Sequence, residues 1–401
     1  MLIEGNGEEM TPAARVGAAV EILDQVIAAA RTGGAAADTI VSRYFATRRY
    51  AGSKDRRAVR ELVYRAIRAW PEPPPSGRSA LLGLADEEIA SRFDGSPHAP
   101  TPVEVAELVA APVGVVPAWL RPRLDPLVEE DEQSALLARA PLDLRVNRLR
   151  TSRDEVLAML PGAVPTPLSP LGLRLPDGTR VEETEAWRRG LVEVQDEGSQ
   201  LLALACGATP GTTVADLCAG AGGKTLALAA EMGNEGRLVA SDIDRGRLSR
   251  MRPRLERAAV SIVEPRLLDP KREREALADL AGKADLVLVD APCSGTGTWR
   301  RNPELRWRLT PERLARFVAT QAYLLDLAWE LVRPGGALVY AVCSLVADEG
   351  RSQAEGFGAR SSAVSEAPPI PGGRAAGPGR LLSPGHDETD GFFVARWRRP
   401  C

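Results

Sequence analysis

Two kinds of hydrophobic spacing divide the chain. Up to about residue 140 the apolar positions recur every three or four residues. Val16, Ala19, Val20, Leu23 and Ile27 predict a helix over Pro12 to Ala30, because a 3.6-residue period gathers such positions on one face. A second helix is predicted from Ser53, acting as N-cap with Asp55 in the first turn, and Val59, Leu62, Val63, Ala66 and Ile67 form its apolar face. The prolines between Pro71 and Pro75 stop it. Further helical segments are predicted at 80–92, 102–110 and 117–139, between connections rich in glycine and proline.

Near Pro141 the period changes. Leu142-Asp143-Leu144-Arg145-Val146-Asn147 alternates as a strand does, Ser152 to Leu160 reads as a short helix, and proline-rich turns follow from Pro161 to Pro176. Strands are then predicted at 213–218, 237–242, 262–268, 284–290 and 336–343, with helices between most of them. Such alternation implies an α/β fold with a doubly wound parallel sheet, in which ligands bind beyond the carboxyl ends of the strands. The stretch 355–380 is low in complexity and is predicted to be a loop.

Length and composition narrow the class. A chain of 401 residues with 44% apolar and 26% charged positions reads as two or three globular domains. No run of about 18 apolar residues is present, so no membrane span is expected. The acidic start, Met1 to Glu9, lacks the basic-then-apolar order of a secretory signal, and a cytoplasmic protein is expected. The net charge of −3 decides nothing about nucleic acid, because a sum hides its distribution. The basic residues are nearly all arginine, and Arg56, Arg57, Arg60 and Arg68 share the outer face of the Ser53 helix, near Arg48 and Arg49. The five cysteines show no C-x-x-C spacing and there are only two histidines, His98 and His386. A zinc cluster and a disulfide framework are thereby excluded, no metal is expected, and a Cys-His hydrolase is disfavoured.

The first strand of the alternating region runs into Asp216-Leu217-Cys218-Ala219-Gly220-Ala221-Gly222-Gly223-Lys224-Thr225. A phosphate-binding Walker loop would need glycine where Cys218 stands, and the dinucleotide pattern meets Thr225 at its third glycine. The next strand ends in Asp242, about twenty residues on, where an acid can accept from ribose hydroxyls. Asp269 follows the third strand and Asp290 ends the fourth. Helix capping would explain any one of these acids; as a set they point to a nucleoside-bearing cofactor.

Cys293 lies just beyond the fourth strand and Cys343 ends the fifth. Neighbouring strands lie about 4.8 Å apart, so the two thiols are expected to converge at the carboxyl edge. Ordinary burial is the competing explanation for a free cysteine; it is adopted, or a backbone role, for Cys206 and Cys218, and Cys401 has no evident task. Spacing does not say which of Cys293 and Cys343 would be a nucleophile.

The loop from Asp216 to Thr225, Asp290-Ala291-Pro292-Cys293-Ser294-Gly295-Thr296-Gly297 and Tyr340-Ala341-Val342-Cys343-Ser344 resemble the motifs of the Sun/Fmu family of RNA cytosine-5 methyltransferases. The resemblance covers 140–400 and extends to Arg301-Asn302-Pro303-Glu304-Leu305-Arg306-Trp307 and Asp390-Gly391-Phe392-Phe393. Ala51 to Arg57 and Arg60 to Tyr64 resemble the NusB-like RNA-binding domain of the ribosomal RNA small subunit methyltransferase B branch. The chain has Gly220-Ala221 where the family usually has Ala-Pro, and Val342 where it has threonine.

This resemblance implies a helical NusB-like domain at 10–135, a small α+β RNA-binding subdomain at 141–195 and a Rossmann-like methyltransferase domain at 196–400. It implies S-adenosylmethionine as cofactor, with Cys218, Ala219, Gly220, Ala221, Gly222, Gly223 and Lys224 around the methionine moiety. Asp242 would hold the ribose, Asp269 would face the adenine and Asp290 would border both pockets. Carbon 5 of cytosine is a poor nucleophile, and adding a thiolate at carbon 6 makes it an enamine-like one. The resemblance assigns that attack to Cys343 and release to Cys293. The chemistry also needs an acid near ring nitrogen 3 to offset the developing negative charge, a role a carboxyl group at Asp290 can fill. Arg300, Arg301 and Arg306 are expected at phosphates, while Trp299 and Trp307 would either stack on a base or sit in a core. The expected partner is RNA, 16S ribosomal RNA by family analogy, with the protein a monomer and no membrane involved. Transfer RNA as the target, or a non-RNA substrate on the same fold, is the alternative.

Overall fold

The structure, a computed structural model, describes residues 9–401, so the acidic stretch Met1 to Glu8 lies outside the described residues. The chain divides into two compact units: the residues up to Pro122 joined by Trp299–Thr310, and Arg123–Thr298 joined by Pro311–Cys401.

The first unit is helical. Helix α1 (Pro12–Thr32) starts where Thr11 accepts from the Ala14 amide with proline in the first turn, and stops at Gly33 in the left-handed region. Helices α2 (Ala37–Ala46) and α3 (Ser53–Ala69) follow. Gly52 rather than Ser53 is the N-cap of α3, because the Asp55 carboxylate reaches back to the Gly52 amide at 3.2 Å. Two short helices, α4 (Gly77–Leu82) and α5 (Glu87–Ser91), replace the single one predicted at 80–92. Ala85 between them takes φ 51°, and Asp86 caps the second. The predicted helices at 102–110 and 117–139 form only 3-10 turns, at Val105–Glu107, Arg121–Arg123 and Asp131–Leu137. Prolines at 102, 112, 117, 122 and 126 remove the amides an α-helix would need there.

The core of this unit gathers Ile22, Leu23, Val26, Val59, Val63, Ile67 and Leu81, and it is completed by Trp307 from far along the chain. The Trp307 indole donates to the Trp70 carbonyl at 2.9 Å. The Arg306 guanidinium donates to the carbonyls of Ile67 at 2.6 Å and Val115 at 2.7 Å, the Ile67 contact falling on the C-terminal turn of α3, where such groups lack helical partners. Burial brings the Arg306 guanidinium down to about 9. Glu304 accepts from the Ala37 amide at the start of α2.

The second unit holds two sheets. Strands β1 (Leu142–Val146), β2 (Val164–Pro165), β3 (Gly172–Leu175) and β4 (Val192–Val194) form an antiparallel sheet in the order β2-β3-β1-β4. The main sheet begins with β5 (Thr213–Asp216), β6 (Arg237–Asp242), β7 (Val263–Leu267), β8 (Ala284–Asp290) and β9 (Val332–Val342), parallel in the order β7-β6-β5-β8-β9. These are the five predicted strands. Their order reverses between β5 and β8, the crevice where doubly wound sheets bind ligands.

The region predicted as a loop is instead ordered. It holds the end of a helix (Arg351–Arg360), β10 (Val364–Glu366) and β11 (Arg374–Ala376), and runs into β12 (Gly379–Leu382). The last strand, β13 (Phe392–Arg398), runs antiparallel to β9, with β12 and β10 on its other edge. Strands of three or four residues offer too few alternations to show a period, which is why they read as low complexity.

Candidate active site

Four carboxyl ends of the parallel strands meet at one edge. β5 ends in Asp216, which is 1% exposed. One of its oxygens accepts from the Thr225 hydroxyl at 2.8 Å, and the other is buried without a hydrogen-bond partner. Burial pushes this carboxyl up to about 7, against the lowering effect of Thr225. The loop that follows turns on Gly220 (φ 57°) and Gly222 (φ 85°), conformations open to glycine at little cost. It delivers the chain into the helix Gly223–Glu231, whose first amides face the loop.

Asp242, at the end of β6, fixes that loop. Its carboxylate accepts from the Gly220 amide at 2.9 Å and the Asp244 amide at 2.8 Å, with Arg247 at 3.4 Å. The Leu268 amide donates to the Asp242 carbonyl, which brings the chain at Asp269 alongside. The Ala219 amide binds the Ser241 carbonyl, and Arg254 clamps the Ala221 carbonyl at 2.7 Å while pairing with Glu193. Burial raises the Cys218 thiol well above its usual range, which keeps that sulfur neutral. A positive-φ turn, an oriented carboxylate and a buried acid with one unpartnered oxygen together suit a nucleoside-bearing ligand.

Lys224 and Asp290 form an ion pair at 2.7 Å. Burial opposes the lysine's charge, but the adjacent Asp290 carboxylate outweighs it and holds the ammonium above its usual range. The ammonium also lies 5.8 Å from the centre of the Phe392 ring. The sequence places Lys224 in the cofactor loop; the structure also ties it to the acid at the end of β8.

Cys293 and Cys343 converge, with their sulfurs 3.3 Å apart. Strands β8 and β9 pair Asp290 with Ala341, so both cysteines lie just past the last paired residues. The hydrogen bond to Cys343 raises the Cys293 thiol well above its usual range, and burial adds to it. The Cys343 carbonyl accepts from the Gly297 amide at 3.1 Å, and the Gly297 carbonyl from the Gly391 amide at 2.8 Å. A Cβ on Gly297 or Gly391 would overlap the other's backbone, which accounts for the glycines in two of the motifs. Cys206, by contrast, is buried in the sheet's core and bonds the Leu202 carbonyl, and Cys401 is exposed.

The structure decides two further groups of residues, and it moves the arginines among them away from the expected phosphate contacts. Trp299, Arg306 and Trp307 are buried in the helical unit and Arg300 is 6% exposed; of the two alternatives for the tryptophans, the core holds. Glu349, which no motif marks, is fully buried and accepts from Ser294 and Ser344, the residues after each cysteine.

Residues 203–398 match the family model described as 16S rRNA methyltransferase RsmB/F. The ribosomal RNA small subunit methyltransferase B of Salmonella paratyphi B is 35% identical over 291 residues, 70% of this chain and 65% of that protein. The chain thus spans 65% of the length of the curated relatives it matches. Among solved structures, PH0851 aligns over 97% of this chain and 99% of its own, with a TM-score of 0.75 and 23% identity. A methyltransferase homolog protein from Pyrococcus horikoshii aligns over 69% of this chain and 92% of its own, with a TM-score of 0.60 and 27% identity.

Proposed function

Because residues 203–398 match the family model described as 16S rRNA methyltransferase RsmB/F, we propose that the protein transfers a methyl group from S-adenosylmethionine to carbon 5 of a cytosine in RNA, with 16S ribosomal RNA as the substrate. The observation that carries this reading is the pair of sulfurs 3.3 Å apart at the strand ends that also present the Lys224–Asp290 pair. A methyltransferase acting on an oxygen or a nitrogen has no use for two convergent thiols.

When bound, S-adenosylmethionine supplies an electrophilic methyl group. The loop Cys218 to Lys224 would cradle it, Asp242 would accept from the ribose hydroxyls, Asp269 would flank the adenine and Asp290 would border the methyl and base pockets. The target base leaves any stack or helix to enter the pocket. Cys343 attacks carbon 6 as a thiolate, and the Asp290–Lys224 pair holds a proton at ring nitrogen 3 against the charge that develops there. Carbon 5 then carries the electron density for methyl transfer.

In the release step the proton on carbon 5 passes to the Cys293 sulfur while the proton Cys293 held passes to Cys343. The carbon–hydrogen electrons re-form the double bond as the Cys343–carbon 6 bond breaks. The 3.3 Å between the sulfurs suits that exchange of protons.

In this reading residues 10–135 and 141–195 bind RNA and 196–400 carry the chemistry. The exposed arginines 56, 57 and 60 of α3 supply phosphate contacts. The protein acts as a cytoplasmic monomer without a metal. Bisulfite sequencing of total RNA from cells with and without the protein tests the assignment: one cytosine of 16S ribosomal RNA loses its protection when the protein is absent. Protection unchanged throughout the RNA would remove the assignment.

A further inference from the structure

Glu349 lies six residues past Cys343, is 0% exposed, and belongs to none of the strand-end acids. One carboxylate oxygen accepts from the Ser294 amide at 2.8 Å and from the Gln321 side chain at 3.0 Å. The other accepts from the hydroxyls of Ser294 and Ser344, each at 2.5 Å. Ser294 follows Cys293 directly and Ser344 follows Cys343 directly. A single buried carboxylate thus grips the residue after each sulfur.

The supports around it point the same way. Gln321 also donates to the Pro292 carbonyl, the residue before Cys293, at 3.0 Å. The Tyr340 hydroxyl, on β9, donates to the Glu349 carbonyl at 2.6 Å. The Leu345 amide donates to the Thr296 hydroxyl at 2.8 Å, so the two loops are also stitched just beyond the serines. Burial raises the Glu349 carboxyl above its usual range, and the donors from Ser294, Ser344 and Gln321 offset part of that. Burying a carboxyl costs stability unless its oxygens are satisfied, and here four donors satisfy them. Hydrophobic side chains of the same volume would fill the space at lower cost; what they lack is the ability to hold two separate loops by directional bonds.

We propose that Glu349 is a positioning residue with two arms, one through Ser294 setting Cys293 and one through Ser344 setting Cys343, and that this fixes the distance between the two sulfurs. The proposal rests on the two-cysteine reading for its kinetic consequences, but the sulfur distance itself does not. Each arm serves a different step. Ser294→Ala loosens the sulfur that serves release, whereas Ser344→Ala loosens the sulfur that attacks. Glu349→Ala loosens both. Glu349→Gln can keep the geometry, because its amide oxygen and NH2 group can face the same partners once the hydroxyls rotate.

The first measurement uses the full-length protein and phenylarsine oxide, which bridges two thiols only when they lie close together. Wild type and Glu349→Gln should bind one equivalent through Cys293 and Cys343, and Glu349→Ala should bind at least ten-fold more weakly. The second follows covalent RNA–protein adduct and methylated product under turnover. Ser294→Ala should accumulate adduct at least ten-fold over wild type, and Ser344→Ala should form at least ten-fold less. Equal losses in the two serine variants, tracking only their melting temperatures, would reduce Glu349 to structural packing and overturn the proposal. Unaltered arsenical binding by Glu349→Ala would overturn it as well. A protein that bridges the arsenical as expected yet never forms an adduct would instead count against the two-cysteine chemistry, leaving the positioning of the sulfurs intact.

Discussion

The sulfur of Cys293 lies 3.3 Å from the sulfur of Cys343, across 50 residues of sequence. If these atoms divide attack and release, their single variants must fail differently. Cys343→Ala should lose methylation altogether while RNA binding stays largely intact. Cys293→Ala should attack and methylate once, then remain attached to RNA through Cys343. The attached species should run as an upward-shifted band in a denaturing gel and collapse on ribonuclease treatment. Two merely structural cysteines would give similar partial losses, commonly about 1–2 kcal/mol of stability each, with no shifted band in either variant.

Asp242 holds Gly220 with one oxygen and Asp244 with the other, so its removal frees the loop as well as deleting ribose contacts. Asp242→Ala should weaken S-adenosylmethionine binding roughly 10- to 100-fold, the equivalent of one or two charge-assisted hydrogen bonds. Isothermal calorimetry on the two proteins decides; equal affinities would remove Asp242 from the cofactor site.

Burial pushes the Asp216 carboxyl up to about 7, against about 3.9 in an unfolded chain. Between those values the folded protein keeps a proton that the unfolded chain releases. This group's contribution is complete below about pH 4 and is lost as the pH rises through 7. Asp216→Asn cannot ionise, so its stability relative to wild type should rise over that window, by roughly 4 kcal/mol at most. Chemical denaturation of both proteins at about pH 5 and pH 8 gives the comparison; a difference that does not change with pH contradicts a buried, protonated Asp216.

Trp307 is the largest apolar contribution of the Trp299–Thr310 segment to the helical core. Trp307→Ala should destabilise that unit by about 3–5 kcal/mol, as for a large aromatic removed from a packed interior. Hydrogen exchange on the full-length chain should report it as lost protection in α1 and α3. Protection equal to wild type in those helices would mean that the indole adds nothing to the core.

Charge reversal at Arg56, Arg57 and Arg60 should weaken RNA binding and flatten its salt dependence, while S-adenosylmethionine binding is unchanged. Filter binding across a salt series measures both quantities. If affinity and slope match wild type, that face of α3 is only solvated surface.

Four of the five parallel strands were legible because each carries valine, leucine or alanine up to an abrupt end in an acid or a cysteine; β7 (Val263–Leu267), with Glu264, Pro265 and Arg266 in it, was legible only from its place in the alternation. Those same endings made the candidate site legible. Helices after residue 100 were over-read: apolar spacing around Val105 and Leu120 looked helical, but the prolines among them deny the backbone its ladder. Strands β10 to β12 were missed because three or four residues show no period. Glu349 was hidden for another reason: an acid in Asp348-Glu349-Gly350 looks like solvated charge until two loops fold over it. Arg306 looked like a phosphate contact for the converse reason, and Trp307 was left open, since arginine and tryptophan side by side suit either a phosphate and base or a helix end and core.

The insertion of Trp299–Thr310 into the helical core also sets a schedule for the protein's synthesis. The bond between Trp307 and Trp70 spans 237 residues, and a ribosome adding roughly 5–20 residues per second needs on the order of 10–50 s to cover them. For that interval the nascent helices display an apolar socket whose plug has not yet been made. A transcript truncated before residue 299 would leave the socket open for good. Slow codons between the two tryptophans would lengthen the exposure, and a chaperone that masks apolar surface would have its longest hold on this chain then.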